Sequence, residues 1–152
     1  MNGGMNMINN QLTIKVLKTE DEWKTAFTVM KQLRTKLDMS AYLELVLESV
    51  QKEGYRLIAL FNQKEIVALC GFMPMITLYN GRFIWVCELI TDRNHRSKGY
   101  GKALLDYVHQ WAIENDYPLV SLSSGLQRID AHRFYEEKME YDKVSYVYLK
   151  KI

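Results

Sequence analysis

Hydrophobic and polar residues fall into blocks of changing period, and the changes predict the order of elements. Leu12-Thr13-Ile14-Lys15-Val16-Leu17 alternates in part and predicts a first strand. Thr19 is placed as the N-cap of an acidic first turn at Glu20, Asp21 and Glu22. Trp23, Phe27, Met30, Leu33 and Leu37 then recur at helical spacing. Ser40 opens a second helical pattern with Leu43, Val46, Leu47 and Val50 on one face, and Gly54 is placed to end it. From Tyr55 the period shortens. Leu57 to Phe61 and Ile66 to Phe72 predict a strand pair around the turn Asn62-Gln63-Lys64. Pro74 predicts a bend or bulge in the continuing strand, and Asn80-Gly81 is a hairpin signal. Phe83 to Ile90 is almost continuously apolar, as expected of a central strand covered on both faces.

Beyond a polar loop, Leu104, Leu105, Val108, Trp111 and Ala112 define a helix that packs on the sheet, with Pro118 just past its end. Leu119 to Leu122 predicts a short strand. Residues from about Arg128 to Met139 predict a helix with Ala131, Phe134, Tyr135 and Met139 on one side, and Val144 to Leu149 alternates as a last strand. The order β-α-α-β-β-β-α-β-α-β predicts a single-domain α/β fold, a mixed sheet with helices on both faces. The polar, Asn/Gly-rich residues 1–11 are expected to be a flexible start, leaving 12–152 as the domain.

Composition narrows the function classes. A chain of 152 residues with 48% apolar and 25% charged residues suits one globular domain. A net charge of +2 lacks the concentrated basic stripe of a nucleic-acid binder. No apolar run approaches the ~20 residues that span a bilayer, and the N-terminus has no export pattern, so no membrane partner is expected. Cys70 and Cys87, both in apolar runs, make neither a disulfide framework nor a metal-ligand set, which suits a reducing cytoplasm. His95, His109 and His132 lack metal spacing and are expected at the surface, with no metal site, although His95, beside the Arg96 to Gly101 loop, could contact a phosphate. A Gly-x-Ser-x-Gly elbow and a Cys-His pairing signature are both absent from the sequence.

The chemistry concentrates in Arg96-Ser97-Lys98-Gly99-Tyr100-Gly101. A strand ending at Ile90, a short loop, and Gly99-x-Gly101 opening a helix place unpaired amide N–H groups and the positive helix end at one point. Arg96, Lys98 and Lys102 add charge, so a diphosphate fits. A Walker A loop needs a hydroxyl where Ala103 stands. A dinucleotide fingerprint needs a third glycine in a first βα unit, and this loop lies late in the chain.

These residues resemble the GNAT superfamily of N-acetyltransferases, whose acetyl-CoA loop reads Arg/Gln-x-x-Gly-x-Gly/Ala. The similarity extends upstream through Glu88-Leu89-Ile90-Thr91 and downstream through Ala131-His132-Arg133-Phe134-Tyr135-Glu136, covering roughly residues 12–149. It implies a mostly antiparallel sheet and direct attack of an amine on the acetyl thioester. Acetyl-CoA is then the cosubstrate, and a small-molecule or peptide primary amine is the acceptor. Glu88 is implied as the base or the carboxylate that holds the amine, although Trp85 stands where some relatives keep their base. The Leu89 N–H is implied to face the thioester oxygen, and Leu89, Ile90 and Thr91 to pair with pantetheine through main-chain groups. Arg96, Ser97, Lys98, Gly99, Tyr100, Gly101 and Lys102 are implied to hold the diphosphate. Tyr135 matches the family tyrosine that often sits near the CoA sulfur and can protonate the departing thiolate, and Ser123 and Ser124 could line the CoA channel. Each has a plainer reading: an ion-paired strand-end Glu, a packing Tyr, an ordinary Ser-Ser-Gly turn.

Where the family commonly has Gly before an aromatic, Glu140 precedes Tyr141, so this helix is expected to end without a left-handed residue. Glu44, Glu48 and Glu88 could form an acidic entrance, but Glu44 and Glu48 equally suit a solvated helix face. A C-terminal strand edge could pair two copies. The competing function is a non-catalytic acyl-CoA sensor, which would need neither Glu88 nor Tyr135. A longer acyl chain also fits the sequence.

Overall fold

The structure, a computed structural model, describes Asn6–Met7 and residues 11–152. It divides into two compact units, Met1–Ser121 and Leu122–Ile152. In the first, strands β1 (Asn6–Met7), β2 (Leu12–Leu17), β3 (Arg56–Asn62), β4 (Glu65–Thr77) and β5 (Gly81–Thr91) follow one another across the sheet, each antiparallel to the next. Asn6 pairs with Ile14 and Met7 with Thr13, so this part of the segment expected to be flexible is tied to the sheet. Residues 1–5 and 8–10 lie outside the described residues. A short strand β6 (Val120–Leu122) begins at the end of this unit, beside β5.

Helices cover both faces because the strands are apolar on both. Leu57 and Ala59 of β3 join Leu69 in a core with Trp23, Phe27 and Met30 of α1 (Glu20–Leu33) and Tyr42 and Val46 of α2 (Met39–Glu53). The alternate residues point the other way, and there Phe72 meets Trp111 of α3 (Tyr100–Glu114) edge-on at 5.3 Å. All five residues expected on the core side of α3, Leu104, Leu105, Val108, Trp111 and Ala112, are buried.

The helix boundaries follow local chemistry. Thr19 caps α1 as expected, accepting from the Glu22 N–H while Glu22 reaches back to the Thr19 N–H, a capping box. The α1 pattern stops at Leu33, one turn short of Leu37, where the Arg34 N–H closes on the Met30 carbonyl. Asp38, not Ser40, caps α2 through the Ala41 N–H, and Gly54 ends it in the left-handed region. The buried side of α2 is Tyr42 and Val46; Leu47 and Val50 are exposed, because α2 packs on the core through the stripe that contains Tyr42 and Val46. The irregularity expected at Pro74 falls at Gly71/Phe72 instead, while Pro74 stays in register opposite Ile84.

In the second unit, α4 (Ile129–Arg133) runs into a π-helical turn, Phe134–Lys138. Glu140 does adopt a left-handed φ of 59°, contrary to the sequence expectation. The wide π turn lets the Tyr141 N–H reach the Tyr135 carbonyl at 2.9 Å, satisfying a terminal carbonyl in compensation. The expected last strand is absent: Val144 to Leu149 form no described ladder, and Val144, Tyr146, Val147, Tyr148 and Leu149 are exposed. Alternation specifies a strand only where a neighbour supplies ladder bonds and cover, so the expected edge for pairing two copies is not formed.

Candidate active site

The irregularity in the β4–β5 ladder sets the site. Gly71 lies opposite Glu88 and Phe72 opposite Val86, leaving Cys87 as the extra residue of a bulge. Glu88, its side chain 18% exposed, sits next to it. The Tyr55 hydroxyl donates to Glu88 Oε2 at 2.6 Å, and Arg34 Nη2 lies 3.7 Å from Oε1. The same Arg34 nitrogen donates to the Cys87 carbonyl at 2.8 Å, so the guanidinium grips the bulge itself. Gly71 is required there: a Cβ would overlap Tyr55 Oη and Glu88 Oε2 and lie 2.6 Å from Tyr55 Cζ.

Burial, reinforced by the Glu88 charge, raises the Tyr55 phenol well above its usual range, so Tyr55 stays protonated and donates. The Cys87 thiol is pushed up to about 12 by burial and then by Glu88, and buried Cys70 is raised by the same two causes. Neither thiol is a nucleophile at neutral pH.

A cavity of about 520 Å³ opens on this group, walled by α1, α2 and the segment joining them, with Glu88 and Tyr55 on its strand side. Arg34, Lys36 and Glu88 are its charged lining residues. Glu44 and Glu48 do not line it, and Glu48 pairs with Lys52 at 2.8 Å, so both belong to the solvated helix face.

Leu89, Ile90 and Thr91 continue β5 opposite Cys70, Leu69 and Ala68. The chain then turns through Arg93–His95, held by Gln32, whose Nε2 donates to Asp92 Oδ1 at 2.7 Å and whose Oε1 accepts from the Arg93 N–H. Here His95 departs from its expected surface position: its side chain is only 18% exposed, with Nε2 3.5 Å from Glu65 and 3.6 Å from Asp92. The ligand atoms of these three residues lie within 4.8 Å of one another, a grouping that sequence spacing could not show. His109 and His132 are also partly buried. Burial lowers the His109 imidazole, and His132 Nε2 lies 2.8 Å from the Gly125 carbonyl.

Ser97 and Gly99 both take positive φ, 62° and 81°, turning the loop so that Gly99 begins α3. No side chain caps this helix, and its first bond is Ala103 N–H to the Gly99 carbonyl, which leaves the amides of Tyr100, Gly101 and Lys102 without a helical acceptor. Arg96 and Lys98 are exposed and ion-pair with no carboxylate among the described residues. Lys102 is engaged with Asp106 at 2.6 Å. Open space around the Gly99 Cβ position, free amides and two unpaired cations fit a diphosphate.

Two expected site residues fall in the second unit. Ser124 Oγ is buried without a hydrogen-bond partner among the described residues. Tyr135 is buried, with Phe134 and Tyr141 rings 5.4 and 6.0 Å away. Sequence reasoning missed Tyr55, Arg34 and Gly71, because residues 33 and 54 positions from Glu88 or across a ladder carry no local signal. The one hint was Tyr55 standing where the helical period ends.

With this geometry in view, comparison with known proteins identifies the class. The sequence model of the Acetyltransferase (GNAT) family matches residues 18–141. The chain is 45% identical over 139 residues to the uncharacterized N-acetyltransferase YhdJ of Bacillus subtilis (strain 168), covering 91% of this chain and 98% of that one. Its fold superimposes on the aminoglycoside N-acetyltransferase AAC(6')-Iy solved with CoA, with a TM-score of 0.82 at 11% identity over 97% and 99% of the two chains. A transcriptional regulator from Bacillus halodurans C-125 matches with a TM-score of 0.76 at 26% identity, over 93% and 99%. The protein therefore belongs to the GNAT family, and it is an acyltransferase of the N-acetyltransferase kind. Among the described residues no helix is long and apolar enough to cross a membrane.

Proposed function

We propose that this chain transfers an acetyl group from acetyl-CoA to a primary amine of a small molecule or peptide, by direct attack and without a covalent enzyme intermediate. The observation that carries this reading is Glu88 lining a cavity, on the strand that leads through one short turn and loop to the uncapped, basic start of α3. The two subsites belong to one connected stretch of chain, residues 88–102.

Acetyl-CoA supplies a thioester whose carbonyl carbon accepts the amine and whose thiol leaves. The amides of Tyr100, Gly101 and Lys102, with Gly99, Ser97, Arg96 and Lys98, hold the diphosphate, and Leu89, Ile90 and Thr91 present main-chain groups to pantetheine. An alkylamine has a pKa of about 10.4, so it must shed a proton before attack. Glu88 Oε1, not taken by Tyr55, orients the ammonium group and takes that proton as base, passing it on to solvent, while the second N–H proton, lost as the adduct collapses to the amide, balances the one given to the thiolate. The Leu89 N–H faces the oxygen on which negative charge grows. Tyr135 returns a proton to the leaving thiolate; phenol and thiol pKa values of about 10 and 8.5 make the transfer feasible. Ser124, with its unpartnered hydroxyl, contributes to the CoA channel. Free Cys70 and Cys87 suit a reducing cytoplasmic setting.

The test is CoA binding by calorimetry together with thiol release from acetyl-CoA across amines, amino acids, polyamines, aminoglycosides and lysine peptides. Binding with release on at least one acceptor is expected. Binding without release on any would favour a sensor, and absence of binding would remove the donor assignment.

A further inference from the structure

The acceptor cavity has an uneven charge pattern. Its lining contains one carboxylate, Glu88, and two cations, Arg34 and Lys36. Glu88 is already met by Tyr55 and Arg34. Lys36, exposed, pairs with no carboxylate among the described residues. Arg34 is only partly used: of five N–H donors, one is spent on the Cys87 carbonyl, and the 3.7 Å separation from Glu88 is too long for a hydrogen bond. The rest of the wall is largely apolar, with Met30, Leu33, Leu37, Tyr42, Leu45 and Val46. A polycation would bring several ammonium groups to one compensated carboxylate and two like charges. A simple alkylamine would leave Lys36 unanswered and the remaining donors of Arg34 unused.

Resting on the transferase reading above, we propose that the acceptor is an α-amino acid with an apolar side chain, its amine on Glu88 and its carboxylate on Arg34 and Lys36. The spacing argues for an α-amino acid over a longer amino carboxylate. Arg34 Nη2 and Glu88 Oε1 are 3.7 Å apart, so a ligand that opposes each with its own charge must carry them close together, as one carbon between amine and carboxyl does. The side chain then enters the apolar part of the cavity, whose 520 Å³ lies within the usual range for small-molecule sites. Arg34, fixed by the Cys87 carbonyl, presents its remaining donors as a fork suited to a carboxylate.

The experiment measures kcat/KM for thiol release at saturating acetyl-CoA with leucine, leucinamide, 3-methylbutylamine and spermidine, with CoA affinity measured in parallel. Leucine should exceed its amide and its decarboxylated analogue by about 10-fold or more, the worth of a charge-assisted hydrogen bond. Lys36→Met should raise KM for leucine and close much of that gap, with CoA affinity unchanged. Equal rates for leucine, leucinamide and 3-methylbutylamine, or highest activity with spermidine, would overturn the carboxylate assignment while leaving the transferase intact. Release on none of the broader amine panel, despite CoA binding, would overturn both readings.

Discussion

The hydroxyl of Tyr55 donates a 2.6 Å hydrogen bond to Oε2 of Glu88, joining the residue that follows the Gly54 stop of α2 to the bulged part of β5. Tyr55 is buried and its phenol is held protonated, so the bond has one direction and leaves Oε1 for another partner. Tyr55→Phe removes the donor and leaves a partly buried carboxylate oxygen unmatched, at a cost of about 1–3 kcal/mol. Turnover should fall about 10-fold or more with CoA affinity unchanged. Steady-state kinetics beside calorimetry check this, and equal losses in both would assign Tyr55 to the fold alone.

Gly71 makes the approach of Tyr55 and Glu88 possible. In Gly71→Ala the methyl group would occupy the space of both oxygens, so the pair must separate or the ladder must shift. Overpacking of this kind costs about 1–3 kcal/mol. The denaturant midpoint should drop and acceptor turnover should fall with it, whereas a variant of normal stability and activity would show that the pair tolerates displacement.

Gly101→Asp separates binding from stability. An acidic residue in the first turn of α3 favours the helix dipole, while its carboxylate opposes a bound diphosphate. Thermal stability should hold or rise slightly and CoA affinity should drop at least about 10-fold, as one misplaced charge near an anion site implies. Unchanged affinity in a titration would move the diphosphate elsewhere.

Tyr135→Phe bears on the leaving group. If the hydroxyl protonates the thiolate, kcat should fall more than CoA affinity, and the loss should be smaller with an acyl donor whose thiol is more acidic. A loss shared equally between rate, affinity and melting temperature would fit a ring that only packs against Phe134 and Tyr141.

Alkali should destabilise the protein through its buried thiols and phenols. Cys87 is raised in the folded state from 9.0 to about 12, so the folded chain keeps a proton that the unfolded chain releases. The resulting stability is fully present below pH 9 and is lost as pH rises towards about 12. Cys70 and Tyr55, raised for the same reason, act in the same direction. Denaturation midpoints between pH 8 and 11 should decline, less steeply in Cys87→Ala; identical slopes would show that Cys87 ionises freely in the fold.

Sequence alone determined whatever rests on neighbours a few residues apart. The Thr19 cap, the Gly54 stop, the β3–β4 pair and the buried face of α3 are local signals of period and capping, and each appears in the structure. The loop from Arg96 to Gly101 was legible for the same reason, since amides at a helix start are defined by the residues that build it. The tertiary structure decided what depends on distant partners. It brought Tyr55 and Arg34 to Glu88, it set the bulge at Cys87, and it placed Gly71, on another strand, where the missing side chain leaves room for Tyr55 and Glu88 to meet. It also withheld a strand from Val144 to Leu149, whose alternation is a preference that only a neighbouring strand can realise. Loop and helix chemistry are written along the chain. The charge pattern of the cavity beside Glu88 exists only after the chain has folded across itself.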